Sequence, residues 1–389
     1  MSRVQHFDYL SADDADRLFL HPPESFSADD DPAVLGNALG ATLYCPATRP
    51  ALANDILRRS RQGVLSVVVC LEDSVPDREL LAAERNAIEQ LCELERSGAP
   101  LPLIFIRVRT PEQIPMLVHE LGAHLRVLAG FVVPKCTEAN GAGYLEAVVR
   151  AGERAGQRLL VMPVLESPET AHAETRTQSL LAARRLVDVH RDVVPAVRVG
   201  ATDLSGVYGL RRPRDFTVWN VRVVADALSA IVNVFARAGA TNYVVTGPVW
   251  EYYASAERLF KPQLRESPFA EHSERALRAE LLARDLDGLI REIVLDRANG
   301  LMGKTVIHPT HVAAVHALSV VGHEDFADAS DVVATNSGGG ASASSFGNKM
   351  NESKPHTAWA QRTLTRARVF GVAREGTSFV DQLGVGLHQ

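Results

Sequence analysis

Eight apolar runs punctuate the chain between residues 41 and 308, at 41–46, 64–71, 101–108, 130–134, 159–165, 196–200, 243–247 and 305–308. An apolar run bounded by turn chemistry reads as a buried parallel strand. Most gaps between the runs carry helical spacing, as at 77–94, 111–125, 143–155 and 221–240. Strand and helix alternating eight times predict an α/β chain folded as a (β/α)8 TIM barrel. An open doubly wound sheet would bring a glycine-rich phosphate loop after the first strand. Here the first run leads into Tyr44-Cys45-Pro46-Ala47-Thr48-Arg49-Pro50, without a glycine.

Three parts follow. Residues 1–40 lack a clear period and form an N-terminal extension, partly helical and draped on the main fold; 41–321 form the barrel; 322–389 supply a flexible linker and a C-terminal lid or helix. The linker is the Gly/Ser-rich stretch 336–345, a composition that stays flexible. The charged segment after it, with a helix over 357–370, suggests a lid or an arm against a neighbouring subunit. Two connections are longer than a barrel requires, 206–220 and 250–268, the second followed by a charged helical stretch to 297. Substrate contacts are expected on such loops.

A net charge of −6 leaves no basic excess for nucleic-acid binding. No apolar run approaches the ~20 residues of a membrane helix, and the first residues lack a signal-peptide layout. Cys45, Cys70, Cys92 and Cys136 show neither CxxC pairing nor metal spacing, so they read as buried hydrophobes rather than disulfides. A cytoplasmic protein is expected.

The active site of such a barrel lies at the carboxyl ends of its strands. Those ends carry Glu72 and Asp73, Arg107 and Arg109, Lys135, Glu166, Asp203 and His308. Charges on otherwise apolar runs are costly unless paired or metal-bound. Glu166 and Asp203 end consecutive strands, about 5 Å apart by strand spacing, and two carboxylates that close need a proton or cation between them. Mg²⁺ or another divalent cation such as Mn²⁺ suits hard oxygen ligands. Capping or a salt bridge is the structural alternative for Asp203. Arg107 offers a fork of donors to a substrate carboxylate. Glu72 and Asp73 read as water-mediated metal or substrate contacts, against helix capping by Asp73 or pairing of Glu72 with Arg107. Lys135 is an active-site cation or part of an ion pair, and His308 a hydrogen-bonded histidine at the barrel end. Arg211 and Arg212 sit where they could hold a substrate anion. The chain has no HExxH, GxSxG or Walker lysine loop, which excludes those chemistries.

The ordered segments Leu71-Glu72-Asp73-Ser74-Val75-Pro76, Ile106-Arg107-Val108, Pro134-Lys135, Leu165-Glu166-Ser167, Gly200-Ala201-Thr202-Asp203-Leu204 and Gly303-Lys304-Thr305-Val306-Ile307-His308-Pro309 resemble the HpcH/HpaI aldolase and citrate lyase beta-subunit superfamily. Gly247-Pro248-Val249-Trp250-Glu251-Tyr252 and Lys349-Met350-Asn351-Glu352 resemble its citrate lyase-like C–C bond lyase branch. The resemblance implies a phosphoenolpyruvate/pyruvate-type barrel, Mg²⁺ on Glu166 and Asp203, and Arg107 at the substrate carboxylate or carbonyl. It implies a lid acid matched by Glu352, which an adjacent subunit can supply, in a homo-oligomer such as a trimer or hexamer. Cys70 departs from the family's first acidic position on the second strand, and the two long connections are not typical of the citrate lyase subunit.

The expected reaction is reversible cleavage of a C–C bond beside a carbonyl. The substrate is a carboxylate-bearing 2-oxo or 3-hydroxy acid, or its coenzyme A thioester. Glu352 or a metal-bound water acts as base. Three alternatives remain open here: a Schiff base on Lys135, an acyl-CoA condensing enzyme or thioester hydrolase, and a non-catalytic barrel scaffold.

Overall fold

The computed structural model describes residues 3–239, 242–253, 286–334 and 340–387. Near the N-terminus lie helix α1 (Ala12–Leu18), strand β1 (Phe19–His21) and helix α2 (Pro32–Ala38). Eight strands then follow in order: β2 (Ala41–Pro46), β3 (Ser66–Cys70), β4 (Leu103–Arg107), β5 (Leu128–Val133), β6 (Leu160–Leu165), β7 (Ala196–Val199), β8 (Val244–Gly247) and β9 (Met302–Val306). Each pairs in parallel with the next, and β9 returns to β2, closing the barrel. The (β/α)8 barrel read from the runs is therefore the fold.

The outer layer holds α3 (Leu52–Ser60), α4 (Leu80–Arg96), α5 (Gln113–Leu121), α6 (Glu138–Ala155), α7 (Pro168–Ala171), α8 (Ala173–Val189), α9 (Ala201–Gly206), α10 (Arg222–Phe235), α11 (Leu286–Ala298) and α12 (Thr310–Ser319). Side chains alternate across each strand. On β3, Val67 and Val69 pack outward with the helices, whereas Val68 joins Phe105, Leu160, Met162 and Val164 in an inner cluster.

That inner cluster continues into the N-terminal extension. Leu35, Ala38 and Leu39 are buried in it, and α2 lies so close to β7 and β8 that a Cβ on Gly36 would overlap the Pro195 carbonyl and crowd Val244. The extension thus plugs the amino-terminal end of the barrel and leaves the carboxyl end open for chemistry.

The C-terminal segment joins the same end. Helix α13 (His323–Ala334) packs along α14 (Ser353–Phe370), which also contacts α2. Strand β12 (Val372–Ala373) pairs with β1, and α15 (Phe379–Leu387) lies on α12. Between α13 and α14, strands β10 (Ala341–Ala343) and β11 (Met350–Glu352) form a hairpin. Part of the stretch read as a flexible linker is therefore a strand, and its residues 336–339 lie outside the described residues. Asp328 of α13 holds the hairpin by accepting hydrogen bonds from Ser344 Oγ and Asn351 Nδ2, both at 2.7 Å, and by pairing with Lys349 at 2.8 Å. The four cysteines are free, three of them buried. Among the described residues, no helix is long and apolar enough to cross a membrane.

Candidate active site

Each strand end delivers its side chain because the pleat leaves alternate residues facing inward. Arg107 closes β4 in register with Cys70 of β3, and Glu166 follows the last residue of β6. Gly200 follows β7, and a Cβ there would overlap the Glu166 carboxylate. The glycine is thus the space into which Glu166 turns. Asp203 stands in the first turn of α9, where it makes no capping hydrogen bond.

These groups meet in one network. Arg107 Nη2 lies 3.0 Å from Glu166 Oε1, 2.8 Å from Glu72 Oε2 and 3.3 Å from Asp73 Oδ2. Lys135 donates its backbone N–H to Glu166 Oε1 at 3.0 Å. Its Nζ reaches Glu72 Oε1 at 2.6 Å, Asp73 Oδ1 at 3.3 Å and Asp203 Oδ1 at 3.5 Å. Lys135 holds a left-handed backbone, with φ of +45°, a strained conformation that the surrounding bonds must impose. Asn140 Nδ2, donating to the Lys135 carbonyl at 3.0 Å, is one of them. Asp73 therefore does not cap the next helix, and Glu72 does pair with Arg107.

Burial raises the Glu166 carboxyl to about 7; Arg107 opposes the shift and the charge of Asp203 reinforces it. Burial likewise raises Glu72. Asp73 is held low, since its bond with Glu72 and the charges of Arg107 and Lys135 outweigh burial. Lys135 is held above the ordinary lysine range: burial acts against its charge, but Glu72, Asp203 and Asp73 prevail. A Schiff-base lysine needs the reverse shift, so the ion pairs of Lys135 favour its reading as an active-site cation over the alternative of a nucleophile.

Two adjoining cavities open at this face and share Asp73. The inner one, about 220 Å³, is lined by Arg107, Glu166, Asp203, Tyr44, Arg198 and Thr305 among others. The outer one, about 440 Å³, is lined by Glu72, Asp77, Arg109, Lys135 and Tyr144 among others. Arg198 and Tyr44 escaped the sequence reading. The available signal was one charge in the run Val197-Arg198-Val199, at the same pleat parity as Gly200.

The residues present fit a divalent cation. The recorded contacts of Glu166 all go to Oε1, which leaves Oε2 turned toward Gly200, and Asp203 lines the same inner cavity. Among the described residues no group of three or more His, Cys, Asp or Glu side chains is poised around one ion. A cation here would have two carboxylates and an otherwise open shell, the arrangement Mg²⁺ accepts because it keeps several waters.

Three expected site residues lie elsewhere. Arg212 is only 5% exposed and pairs with Glu292, while donating to the Val249 carbonyl at 3.0 Å. Its recorded contacts are structural, and it lines neither cavity of the acidic cluster. Lys304 completes that network, reaching Glu292 at 2.9 Å and Asp296 at 2.6 Å. Arg211 is exposed beside it, lining a separate small recess. Glu352 is not among the residues lining either cavity; its recorded bonds are local, to Ala341 across the hairpin and to His356. The structure therefore does not bring it to the cavity of its own chain; Asp328 ties the hairpin to α13. His308 accepts or donates at Thr310 Oγ1, 2.8 Å away, as a barrel-end histidine.

The model of the C–C bond lyase family of the TIM-barrel fold matches residues 33–372. The chain belongs to this family. It is accordingly a carbon–carbon lyase, and its structural neighbours are citrate lyase beta-subunit-like proteins, as the six ordered segments suggested. A citrate lyase from Burkholderia xenovorans LB400 superposes with a TM-score of 0.61 at 14% identity, over 90% of this chain and 96% of that one. Protein CitE from Mycobacterium tuberculosis, in complex with magnesium, acetoacetate and coenzyme A, gives 0.50 at 20% identity over 85% and 99%. Haloferax volcanii malate synthase, in a ternary complex with pyruvate and acetyl-CoA, gives 0.50 at 13% over 83% and 90%. At these identities the likeness is one of fold. No curated protein sequence matches.

Proposed function

We propose that this C–C lyase is Mg²⁺-dependent, holds the ion on Glu166 and Asp203, and acts on a small carboxylate-bearing 2-oxo or 3-hydroxy acid. The observation that carries the reading is the buried Glu166 carboxylate, raised to about 7 by burial with Asp203 adding to the rise, since a bound cation removes that conflict. Bound there, Mg²⁺ supplies Lewis-acid polarisation of a carbonyl oxygen.

The chain's own groups do the rest. Arg107 engages its three carboxylates through Nη2, so its Nη1 remains to stabilise charge developing on a substrate oxygen. Lys135 keeps its proton and anchors Glu72. Glu72, raised by burial and facing the outer cavity, is the candidate proton acceptor. The four carboxylates Glu72, Asp73, Glu166 and Asp203 face three cations, Arg107, Lys135 and Arg198. One net negative charge remains, which a divalent cation together with a monocarboxylate would neutralise.

A free acid is favoured over a coenzyme A thioester. In the outer cavity the described cations are engaged: Arg109 pairs with Asp77, and Lys135 with Glu72. Magnesium and acetoacetate in the CitE complex and pyruvate in the malate synthase complex are consistent with the metal and the small acid, although those two proteins also hold coenzyme A or acetyl-CoA there. Exchange of the pyruvate methyl protons in D₂O, followed by NMR, tests it without knowledge of the natural substrate. Mg²⁺-dependent exchange abolished by EDTA is expected. Coenzyme A release from acyl-CoA without such exchange would favour the thioester enzyme instead.

A further inference from the structure

The inner cavity has an arginine that the proposed reaction does not yet use. Arg198 is the central residue of the inward-facing side of β7, two residues before Gly200, and is 1% exposed. It lies at the level of Val164, its partner in register on β6, and so one pleat below Glu166. Its Nη1 donates to Thr42 Oγ1 at 3.3 Å and its Nη2 to Thr305 Oγ1 at 2.6 Å. The guanidinium also lies 5.6 Å from the Tyr44 ring centroid. Its Nε is buried without a partner.

A buried charge normally carries a counterion, because desolvation is otherwise uncompensated. Three other buried cations obey this rule: Arg107 has Glu166 and Glu72, Lys304 has Glu292 and Asp296, and Arg212 has Glu292; Arg366 of α14 is buried without a recorded ion pair, but it lines neither cavity. Among the described residues, the recorded partners of Arg198 are neutral: two hydroxyls, the Met162 sulfur and an aromatic face. The guanidinium nonetheless lines the inner cavity together with Glu166 and Asp203. A planar fork of N–H donors suits a carboxylate.

We infer that Arg198 is the anchor for the substrate's carboxylate, at the floor of the inner cavity below Glu166 and Asp203. This rests on the metal-dependent reading above and deepens it. The two threonine hydroxyls fix the guanidinium plane, and the ligand's carboxylate supplies the missing counterion. Arg107, already surrounded by three carboxylates, is then left for the reacting oxygen. The class of ligand follows from the space: a short acid whose charged end enters first, with its carbonyl above it at the acids. A cavity of about 220 Å³ suits a chain of a few carbons.

Calorimetry on the full-length protein separates the two claims. Wild type, Arg198→Met and Arg198→Lys are each titrated with MgCl₂, then with pyruvate, and with methyl pyruvate as the uncharged control. Both variants should bind Mg²⁺ as wild type does. Arg198→Met should lose pyruvate affinity by at least about tenfold, the weight of one charge-assisted pair, with partial recovery in Arg198→Lys. Methyl pyruvate should show no dependence on residue 198. Intact Mg²⁺ binding with unchanged pyruvate affinity in Arg198→Met would overturn the assignment and spare the metal site; absent Mg²⁺ binding in wild type would sink the metal reading instead. A Mg²⁺-loaded wild type that binds no pyruvate would also overturn the assignment. If Arg198→Met does not fold, a crystal structure of wild type with pyruvate decides: a carboxylate within hydrogen-bond distance of Arg198 supports it, and one held by Arg107 alone overturns it.

Discussion

Arg107 Nη2 and Glu166 Oε1 lie 3.0 Å apart, although their strands, β4 and β6, are separated by β5. The intervening strand contributes to the same oxygen, through the N–H of Lys135. Two consecutive strand ends therefore converge on one oxygen of the carboxylate carried by the third, and no recorded contact goes to the other. The recorded contacts thus hold Glu166 from one side only.

Holding that carboxylate has an energetic consequence. Its folded-state value of about 7 lies above the ordinary glutamate value of 4.5, so the protonated form is favoured by folding. Stability from this group is full below about pH 4.5 and lost as pH rises to about 7. In the metal-free protein Glu166→Gln should therefore be the more stable form near pH 8, by as much as about 3 kcal/mol. The difference should vanish near pH 4.5. Urea denaturation at the two pH values, with EDTA present, reads it; a variant less stable than wild type at pH 8 would contradict the burial argument.

Gly200 should tolerate no side chain. A Cβ there would overlap the Glu166 carboxylate, while the backbone sits at an ordinary φ of −106°. Gly200→Ala is expected to fold but to displace Glu166, weakening Mg²⁺ binding by at least about tenfold, since misplacing one of two ligands forfeits much of the site. Wild-type affinity in this variant would show that Glu166 is not held where the metal binds.

Lys304 is predicted to matter for stability rather than turnover chemistry. It is fully buried between Glu292 and Asp296, and burial already raises the Asp296 carboxyl to about 6. Lys304→Met should cost about 3–5 kcal/mol in equilibrium unfolding, the usual result of leaving buried charge unpaired. A loss below about 1 kcal/mol would mean that Arg212 alone satisfies the acids.

Lys135 should form no imine. Glu72 at 2.6 Å and the charges of Asp203 and Asp73 keep it protonated. Incubation with pyruvate and borohydride, followed by mass spectrometry, should leave the protein mass unchanged. A reduced adduct on Lys135 would restore the Schiff-base mechanism.

The barrel was legible because its strands are apolar on both faces, so seven of the eight runs stand clear of their flanks. The eighth was placed at 305–308 but is Met302–Val306, because Gly303 and Lys304 look like a turn. Lys304 reads as polar only until Glu292 and Asp296 of α11 are known to bury it. Glu166, Asp203, Arg107, Glu72, Asp73 and Lys135 were found because strand-end charges point to one face in this architecture. The pairing of Arg212 with Glu292 was not legible, since a basic loop and a buried ion pair look alike until the partner on a distant helix is placed. Arg198 was passed over because a lone charge inside an apolar run reveals its direction only through the pleat. Glu352 followed from matching a segment whose anchoring on Asp328 no local pattern records.

The central claim is a cation held between Glu166 and Asp203, and Mg²⁺ calorimetry on wild type, Glu166→Gln and Asp203→Asn tests it most directly. Wild type should show saturable one-site binding near pH 8 that weakens about tenfold per pH unit below about pH 7, as Glu166 takes up its proton. Both variants should show none. Identical weak heats from all three proteins would contradict the account.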